Sequence, residues 1–497
     1  MTRPGPLLLA LALLAGCTTD SAGLAPPTYV SAWQPPPMQV PEKLLMPPVD
    51  AAAAAPGGGA GGAGPAPADA PPRIEPGRAY GLPELIDIAQ RNNPETRIAW
   101  QQARQAALAV GLAEATFLPQ LSATVIGGYQ RFNTNLPIGS DRIRNSVSGV
   151  VPAIGMQWLL FDFGQRKALA DAARNISYAA GIGFNGMHQK LVWDVTRTYT
   201  QYQAARSRTA LAAEMLRNSE AILDAAQKRQ ARGIATSIEV AQARQLLAQA
   251  KLRRIAAQGG ERDAYQALLG AMGVSPLLQV GIAADDPRPL PETVDAPTEE
   301  MIRLALSQRP DVLASYANLR AASAAVSAAE AGGRPKVFVA GAVSAGDSRF
   351  NVEGFPVPGL QNSGGAILFG VTVPIYDGGI RRIRTQEAQS RAEVADEGFR
   401  KVRDVAIREI VVATDQLRTT LEANAATAEL VSAAALTHDA ALSAYRTGIG
   451  TITAANIAAN GLLEARQASI DARAAALIAA ATLALAMGRV EDSGDAP

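Results

Sequence analysis

The sequence predicts a mainly α-helical protein with a strand-forming part, built as a tandem repeat of helix, strand, strand, long helix and helix. Three observations lead to this fold class. Landmarks in the first half recur in the second half at a nearly constant spacing, two very long stretches have helical composition, and a strand-to-helix pivot occurs twice. Self-similarity at a fixed spacing indicates two copies of one structural unit.

The repeat rests on five ordered landmarks. Pro94 lies opposite Pro310, and the two Ala-Met-Gly endings finish at Gly273 and Gly488. The other pairs are Leu118-Pro119 with Arg334-Pro335, Phe161–Gly164 with Tyr376–Gly379, and Arg232–Ile234 with Thr447–Ile449. We therefore assign residues 83–273 to repeat 1, 274–298 to a proline-rich inter-repeat linker, 299–488 to repeat 2 and 489–497 to a C-terminal tail.

Each copy is expected to contain the same elements. The predicted opening helices are 84–116 and 299–331, the strands 118–131, 147–162, 335–346 and 365–376, and the long helices 164–231 and 380–446. A glycine-containing turn and a closing helix follow each long helix. At about 1.5 Å per residue, a long helix measures about 100 Å. The opening and closing helices together have a similar length, so we expect them to stack end to end, antiparallel to the long one.

The N-terminus, MTRPGPLLLALALLAGC, has a positive start, a short apolar run and small residues before Cys17. This pattern is typical of a secretory signal and is too short for a membrane span. Leu14–Cys17 resembles a bacterial lipobox, which implies cleavage after residue 16, lipidation (palmitate) of Cys17 and sorting to the outer membrane. An ordinary signal with an incidental cysteine is the alternative. Residues 17–82 then form an Ala/Gly/Pro-rich tether.

Composition argues against several functional classes. A net charge of +1 disfavours a nucleic-acid binder that acts through a broad basic surface. The single cysteine leaves no Cys-based metal cluster. Gly59–Gly64 matches G-x-G-x-x-G but lacks the flanking strand and helix of a dinucleotide site. We therefore predict no enzyme activity, no catalytic residue, no cofactor and no metal.

The predicted strands pose a problem of number. After the signal, no apolar run is as long as a membrane-spanning helix needs, so a membrane-spanning part would have to be a closed barrel. One chain offers about four suitable strands, too few to enclose a lumen. Either the strands form a small soluble sheet, or several chains share one barrel.

The sequence resembles the outer membrane efflux protein family of TolC-like channels. The resemblance rests on four motifs that occur in this order: ELIDIAQRNNPE, FLPQLSATVIGGY, LFDFGQRKA and PIYDGGIRRIRTQEAQSRAE. The likeness covers about residues 82–490, and the lipobox is similar to that of its lipoprotein branch. It implies a homotrimer with a 12-stranded outer-membrane barrel, continued by a periplasmic α-helical coiled-coil tunnel. It also implies a passive conduit for small molecules. The implied partners are a periplasmic adaptor, an inner-membrane transporter of RND, ABC or MFS type, and outer membrane lipid.

The resemblance implies three groups of functional residues. The adaptor-contact tips are Gly233, Ile234, Ala235, Thr236, Gly448, Ile449, Gly450 and Thr451. The periplasmic constriction candidates are Glu239, Gln242, Thr453, Asn456 and Asn460. The barrel–tunnel pivots contain Asp162, Gly164, Asp377, Gly378 and Gly379. Family members often carry acidic residues at the places of Ala454 and Ile457, so we expect only weak block by divalent cations.

Two other functions fit parts of the sequence. Type I protein secretion uses the same kind of outer-membrane conduit, and the sequence does not select between protein and small-molecule export. A periplasmic coiled-coil scaffold or adaptor would also have long helical hairpins. Such a scaffold does not explain two strand hairpins that each end in nearly the same pivot.

Overall fold

The computed structural model describes residues 25–33, 75, 77–135, 142–284, 290–352 and 360–489. Within it the chain forms two compact units. The strand unit is built from Arg104–Ala179 and Ala317–Gly398, and the helical unit from Pro26–Ala103, Ala180–Tyr316 and Phe399–Pro497. Cys17 and the predicted signal lie outside the described residues, so these assignments remain predictions.

The elements follow the predicted repeat. Repeat 1 contains α1 (Leu82–Asn92), α2 (Pro94–Ala115), β2 (Gln120–Asn135), β3 (Arg142–Phe161), α3 (Gln165–Ala231) and α4 (Ser237–Met272). Repeat 2 contains α5 (Glu299–Gln308), α6 (Pro310–Ala331), β5 (Lys336–Val352), β6 (Leu360–Thr372), α7 (Ile380–Thr447) and α8 (Ile452–Ala486). Two short strands, β1 (Ala79–Tyr80) and β4 (Gly281–Ile282), pair in parallel, so the linker contributes a strand.

The opening helix of each repeat was wrongly predicted to be continuous. Asn93 has φ −66° and ψ 125°, and Arg309 has φ −70° and ψ 123°, so both are extended. Each precedes a proline, whose ring disfavours helical conformation in the residue before it. The opening helix is therefore two helices in both repeats.

The closing helices end against these breaks, inside the helical unit. Asn93 Nδ2 donates to the carbonyl of Ala271 at 3.0 Å, and Arg309 Nη1 donates to the carbonyl of Ala486 at 3.1 Å. The positive-φ glycines Gly273 and Gly488 lie so close that an added Cβ would be 2.6 Å from the Asn93 Cα and 3.1 Å from the Gln308 carbonyl carbon. The predicted end-to-end meeting of closing and opening helices is thus present in both repeats.

The strand unit contains one antiparallel sheet with the order β2-β3-β5-β6. Strand β6 was predicted to reach Tyr376 but ends at Thr372, which pairs with Lys336, the first residue of β5. Beyond Thr372 the chain contains Pro374, which has no N–H to donate to a ladder. Strands β2 and β6 lie at the two edges of the sheet.

Among the described helices, α8 is long and apolar enough to cross a membrane by length and composition alone, with a mean hydropathy of 1.5. It packs against α7, where Ala476 and Ala479 join Leu417 and Leu421 in one buried cluster. The linker residues Leu290 and Val294 cover the same cluster. These contacts place α8 among the packed helices of the helical unit.

Candidate functional site

The first pivot, between β3 and α3, is organised by Asp162. Its carboxylate accepts from the backbone N–H of Gly164 at 3.2 Å and of Arg166 at 2.9 Å, and Arg166 Nε completes an ion pair at 2.9 Å. Both side chains are buried. The guanidinium also donates to the carbonyls of Thr116, Leu159 and Leu160. A carboxylate that satisfies free helix N–H groups is an N-cap.

The second pivot, between β6 and α7, repeats this arrangement. The Asp377 carboxylate accepts from the N–H of Gly379 at 3.1 Å, the N–H of Arg381 at 3.0 Å and Arg381 Nε at 2.7 Å. The side-chain hydrogen bond from Arg381 lowers the pKa of Asp377. Both pivots therefore place an aspartate at the N-terminus of a long helix.

The two hairpin tips lie in the helical unit, where each long helix turns into its closing helix. Gly233 has φ 76° and Gly448 has φ 86°, a left-handed conformation that favours glycine. The N–H of Ile234 bonds the Arg229 carbonyl, and the N–H of Ile449 bonds the Ala444 carbonyl, both at 3.0 Å. These bonds close the helix ends in the manner of a Schellman motif.

Threonine begins the closing helix at both tips. The Thr236 hydroxyl accepts from the N–H of Glu239, while the Glu239 carboxylate accepts from the N–H of Thr236, each at 3.3 Å. Thr451 accepts from the N–H of Ala454 at 3.2 Å. The Glu239 carboxylate, a constriction candidate, is therefore engaged in a capping box.

The two tips are held together by a shared core. Residues of all four helices form one buried cluster below the turns: Ile222, Ala226, Val240, Ala243, Leu246, Tyr445, Ile452 and Ala455. Arg229 Nη1 donates to the Tyr445 carbonyl at 2.6 Å, and its guanidinium carbon lies 4.8 Å from the centre of the Tyr445 ring. Burial raises the pKa of the Tyr445 phenol, and the nearby Arg229 charge opposes this shift.

The isoleucine of each turn is exposed in the described part of the chain. Ile234 is 63% exposed and Ile449 is 89% exposed. In a Schellman motif the residue after the left-handed glycine often packs back on its own helix. Each tip instead presents an isoleucine to its surroundings, next to a polar cap.

The remaining constriction candidates lie within the first two turns of α4 and the first three turns of α8. Asn460 Oδ1 accepts from Arg253 Nη1 at 3.1 Å, which links α8 to α4. Thr453 is exposed and Gln242 is half-buried. The Asn456 amide oxygen is buried and has no hydrogen-bond partner in the described part of the chain. The described residues contain no group of three or more His, Cys, Asp or Glu arranged to hold a metal ion.

The structure joins the helix ends below both tips in one buried cluster and places the pivot residues in the strand unit. Sequence reasoning missed the Arg229–Tyr445 contact. The repeat aligns Arg229 with Ala444, so the internal symmetry gives no signal for this pair.

Comparison with known proteins agrees with this geometry. The family description "outer membrane efflux protein" matches residues 85–274 and 301–489. Protein CyaE of Bordetella pertussis is 28% identical over 86% of this chain and 88% of its own length. Outer membrane protein OprJ of Pseudomonas aeruginosa is 28% identical over 68% of this chain and 70% of its own.

The fold also matches a solved structure. A crystal structure of a membrane protein from Pseudomonas aeruginosa superposes with a TM-score of 0.71, at 25% identity over 82% of this chain and 93% of that one. The family match covers most of the chain and includes the four strands of the antiparallel sheet, the pivots and both tips. The chain therefore belongs to the outer membrane efflux protein family.

Proposed function

We propose that three copies of this chain form a passive outer-membrane conduit, which receives small molecules from a periplasmic adaptor and an inner-membrane transporter. The observation that carries the proposal is the four-stranded sheet with open edges at β2 and β6. Open edges cannot remain in lipid, because their N–H and C=O groups would lack partners. Pairing β6 of each copy with β2 of the next closes a twelve-stranded barrel.

The surface of the sheet supports a membrane location. Val125, Tyr129, Ile367, Phe369 and Val371 are all more than half exposed in the single chain. A contiguous exposed apolar surface marks an interaction site or a membrane contact. Trp158, Phe161, Phe163 and Tyr376 add exposed aromatic rings at the pivot ends of the strands, as expected at a membrane–water interface.

The tips are the proposed adaptor contact. A bulky residue at Gly233 or Gly448 would strain the turn as well as block contact, because both have positive φ. Ile234→Asp with Ile449→Asp changes only exposed side chains. We expect trimer formation to persist, while export and adaptor co-purification fall at least about tenfold, the effect of about 1.4 kcal/mol of lost binding.

Ile255→Asp is the matched control, since Ile255 is 64% exposed and lies along α4, away from the turn. Among variants that keep the trimer, only the tip pair is expected to lose adaptor. Normal export and adaptor binding by the tip pair would contradict the proposed contact. The transporter that co-purifies with the wild-type chain distinguishes small-molecule efflux from type I protein secretion.

The constriction remains a proposal about Glu239, Gln242, Thr453, Asn456 and Asn460. Because the Glu239 carboxylate caps its own helix, we expect Glu239→Gln to leave divalent-cation block weak and unchanged. Strong block of the wild-type channel that this substitution removes would instead assign Glu239 to a cation ring. Single-channel current at increasing divalent concentration measures either result.

The anchor is proposed to be a lipid on Cys17. Mass spectrometry of the N-terminal peptide checks this directly, because lipidation adds acyl chains to that peptide. Cys17→Ser is expected to abolish the mass increase. A wild-type peptide that begins elsewhere, or carries no lipid, would overturn the anchor and leave the proposed conduit standing.

A further inference from the structure

A short piece of the predicted tether is bound to repeat 1 inside the helical unit. Trp33 exchanges two hydrogen bonds with one side chain: its N–H donates to Asn185 Oδ1 at 2.8 Å, and its carbonyl accepts from Asn185 Nδ2 at 2.7 Å. The Tyr29 carbonyl accepts from His188 Nε2 at 3.1 Å, and the Pro26 carbonyl accepts from Trp100 Nε1 at 2.8 Å. Side chains of α2 and α3 thus bind the backbone of this segment at three points.

Aromatic side chains of this segment also pack against α2 and α3. The Trp33 ring lies over Gly181 of α3, where an added Cβ would be only 2.4 Å from the ring. Tyr29 packs edge-on against Trp100 with ring centres 5.9 Å apart, and the Arg97 guanidinium lies 4.9 Å from the Tyr29 ring centre. Phe184, which is fully buried, forms the floor of this cluster. We call residues 26–33 the strap.

Repeat 2 does not carry the same binding residues. At the positions equivalent to Gly181, Asn185 and His188 it has Asp396, Arg400 and Arg403. The small residue that admits the Trp33 ring and the amide that pairs with its backbone are therefore present only in repeat 1. Each chain has one strap and one matching site.

The position of the strap divides the tether very unequally. Pro26, where the strap begins, follows closely after Cys17, whereas Leu82, where α1 begins, lies far beyond it. The stretch from Cys17 to Pro26, about nine residues, spans at most about 30 Å, and the stretch from Cys17 to Leu82, about 65 residues, would span more than about 200 Å. Binding of the strap therefore reduces the reach of an anchor at Cys17 several-fold.

The part of α3 that precedes Gly181 has a similar length. Helix α3 begins at Gln165 and α2 ends at Ala115, both beside the first pivot. From these ends to Gly181 and Trp100 the helices run for about 15 to about 16 residues, which is about 22–24 Å at about 1.5 Å per residue. The stretch from Cys17 to Pro26 is therefore, when fully extended, only slightly longer than this part of α3.

We propose that the surface of Trp100, Gly181, Asn185 and His188 is a binding site for the chain's own strap, and that the bound strap limits how far a lipid on Cys17 can lie from α3. This inference rests on the proposed lipid anchor. We call the stretch between Cys17 and Pro26 the leash. When the strap is bound, the leash alone limits how far the lipid can lie from the strap, and the rest of the tether up to Leu82 does not affect this distance.

The binding site is tested on purified full-length chain, without membrane or export. Gly181→Ala places a methyl group in the space of the Trp33 ring, and Gly183→Ala is the matched control, because a Cβ there meets nothing within 4 Å. Chymotrypsin cleavage after Tyr29 or Trp33 is followed by the mass of the N-terminal fragment. We expect cleavage at least about tenfold faster in Gly181→Ala and unchanged in Gly183→Ala.

A second variant guards against an indirect effect of Gly181→Ala on its helix. Trp33→Ala leaves α3 intact and is expected to accelerate cleavage after Tyr29 to a similar degree. Equal protection of Gly181→Ala, Trp33→Ala and wild type would overturn the binding site. That result would leave the proposed conduit unaffected.

The leash is tested by shortening it. Deletion of residues 19–24 keeps Thr18 after Cys17 and leaves a leash to Pro26 with a reach of only about 10 Å. In outer-membrane fractions, the lipidated deletion chain is expected to expose the strap to chymotrypsin at least about tenfold faster. The same deletion behind a non-lipoprotein signal is expected to stay protected, because nothing pulls on the strap.

Deletion of residues 56–61, an equally long piece of the Ala/Gly/Pro segment, is the length control and is expected to have no effect. A protected strap in the lipidated 19–24 deletion would overturn the leash. Absence of lipid on wild-type Cys17 would overturn the leash too, together with the proposed anchor, while the cleavage result for Gly181→Ala would still decide the binding site.

Discussion

The two pivots have the same hydrogen bonds but different surroundings. In both, an aspartate accepts from two backbone N–H groups and from the arginine four residues later. The first ion pair is nearly buried, with Arg166 9% and Asp162 6% exposed, whereas Arg381 and Asp377 are 35% and 24% exposed. The local sequence therefore determines the hydrogen bonds of the turn, whereas residues outside the turn determine how deeply the ion pair is buried.

The difference traces to the loop that precedes the first strand of each repeat. Phe117 covers Arg166, whose guanidinium carbon lies 4.7 Å from the ring centre. The equivalent residue in repeat 2 is Gly333, which lies against the Arg381 side chain; a Cβ there would be 3.3 Å from Arg381 Cδ. The same contact exists twice, but only the first copy has a side chain to cover the arginine.

The largest expected effect separates the two aspartates. Asp162→Ala leaves the buried Arg166 charge without its carboxylate partner, which should lower the free energy of unfolding by about 3–5 kcal/mol. Asp377→Ala removes the same bonds at a more exposed site and should cost clearly less. Denaturant unfolding of the purified chains in detergent, followed by circular dichroism, measures both. Equal losses would show that burial does not distinguish the pivots.

Substitution of the residue that covers the pivot arginine should change how exposed that arginine is in each repeat. Phe117→Gly removes apolar contact and the cation–π interaction, an expected loss of about 1–2 kcal/mol in unfolding free energy. Gly333→Phe should cover Arg381 and slow its modification by phenylglyoxal, read by peptide mass spectrometry. Unchanged modification of Arg381 would mean that the loop residue does not control its exposure.

The backbone conformation at residue 378, in the second pivot, favours glycine. Gly378 has φ 65° and open space around it, while Gly398 lies in α7 with open space and an ordinary helical backbone. Gly378→Ala should lower the unfolding free energy by about 1 kcal/mol, and Gly398→Ala should raise it by a similar amount. Repeat 1 has Phe163 with φ 54° at the equivalent place. Stabilisation by both substitutions would contradict the conformational explanation.

The smallest expected effect is the pH dependence of the second pivot. The pKa of Asp377 is lowered first by the Arg381 hydrogen bond, so its folded pKa lies below its unfolded one. Its contribution to stability is therefore complete above about pH 4 and is lost as the pH falls further. Comparison of denaturant midpoints for wild type and Asp377→Asn from pH 5 downward measures it. Parallel curves would contradict the linkage.

The fold was predictable where a local rule repeats. Local residue preferences mark the turns at Gly233 and Gly448 and the two pivots, because backbone and capping preferences act within a few positions. Each of these features occurs in both repeats, which strengthened its prediction. The helix breaks at Asn93 and Arg309 follow from an equally local rule. They were missed because Pro94 and Pro310 were used only to align the repeats.

The rest of the site depends on partners distant in sequence and different between repeats. Nothing near Trp33 indicates that its ring lies on Gly181, and nothing near Arg229 indicates Tyr445. The contact between Phe117 and Arg166 could not be predicted either, because the residue equivalent to Phe117 in repeat 2 is a glycine. Repeat symmetry predicts shared architecture, and it conceals the contacts that one repeat alone makes.

Planar-bilayer recording of the purified full-length trimer tests the proposed conduit most directly. If three four-stranded sheets close into one barrel that continues through the helical part, each insertion event should add a discrete current step of uniform size. A stable trimer that inserts into the bilayer but gives no stepwise current would contradict the account.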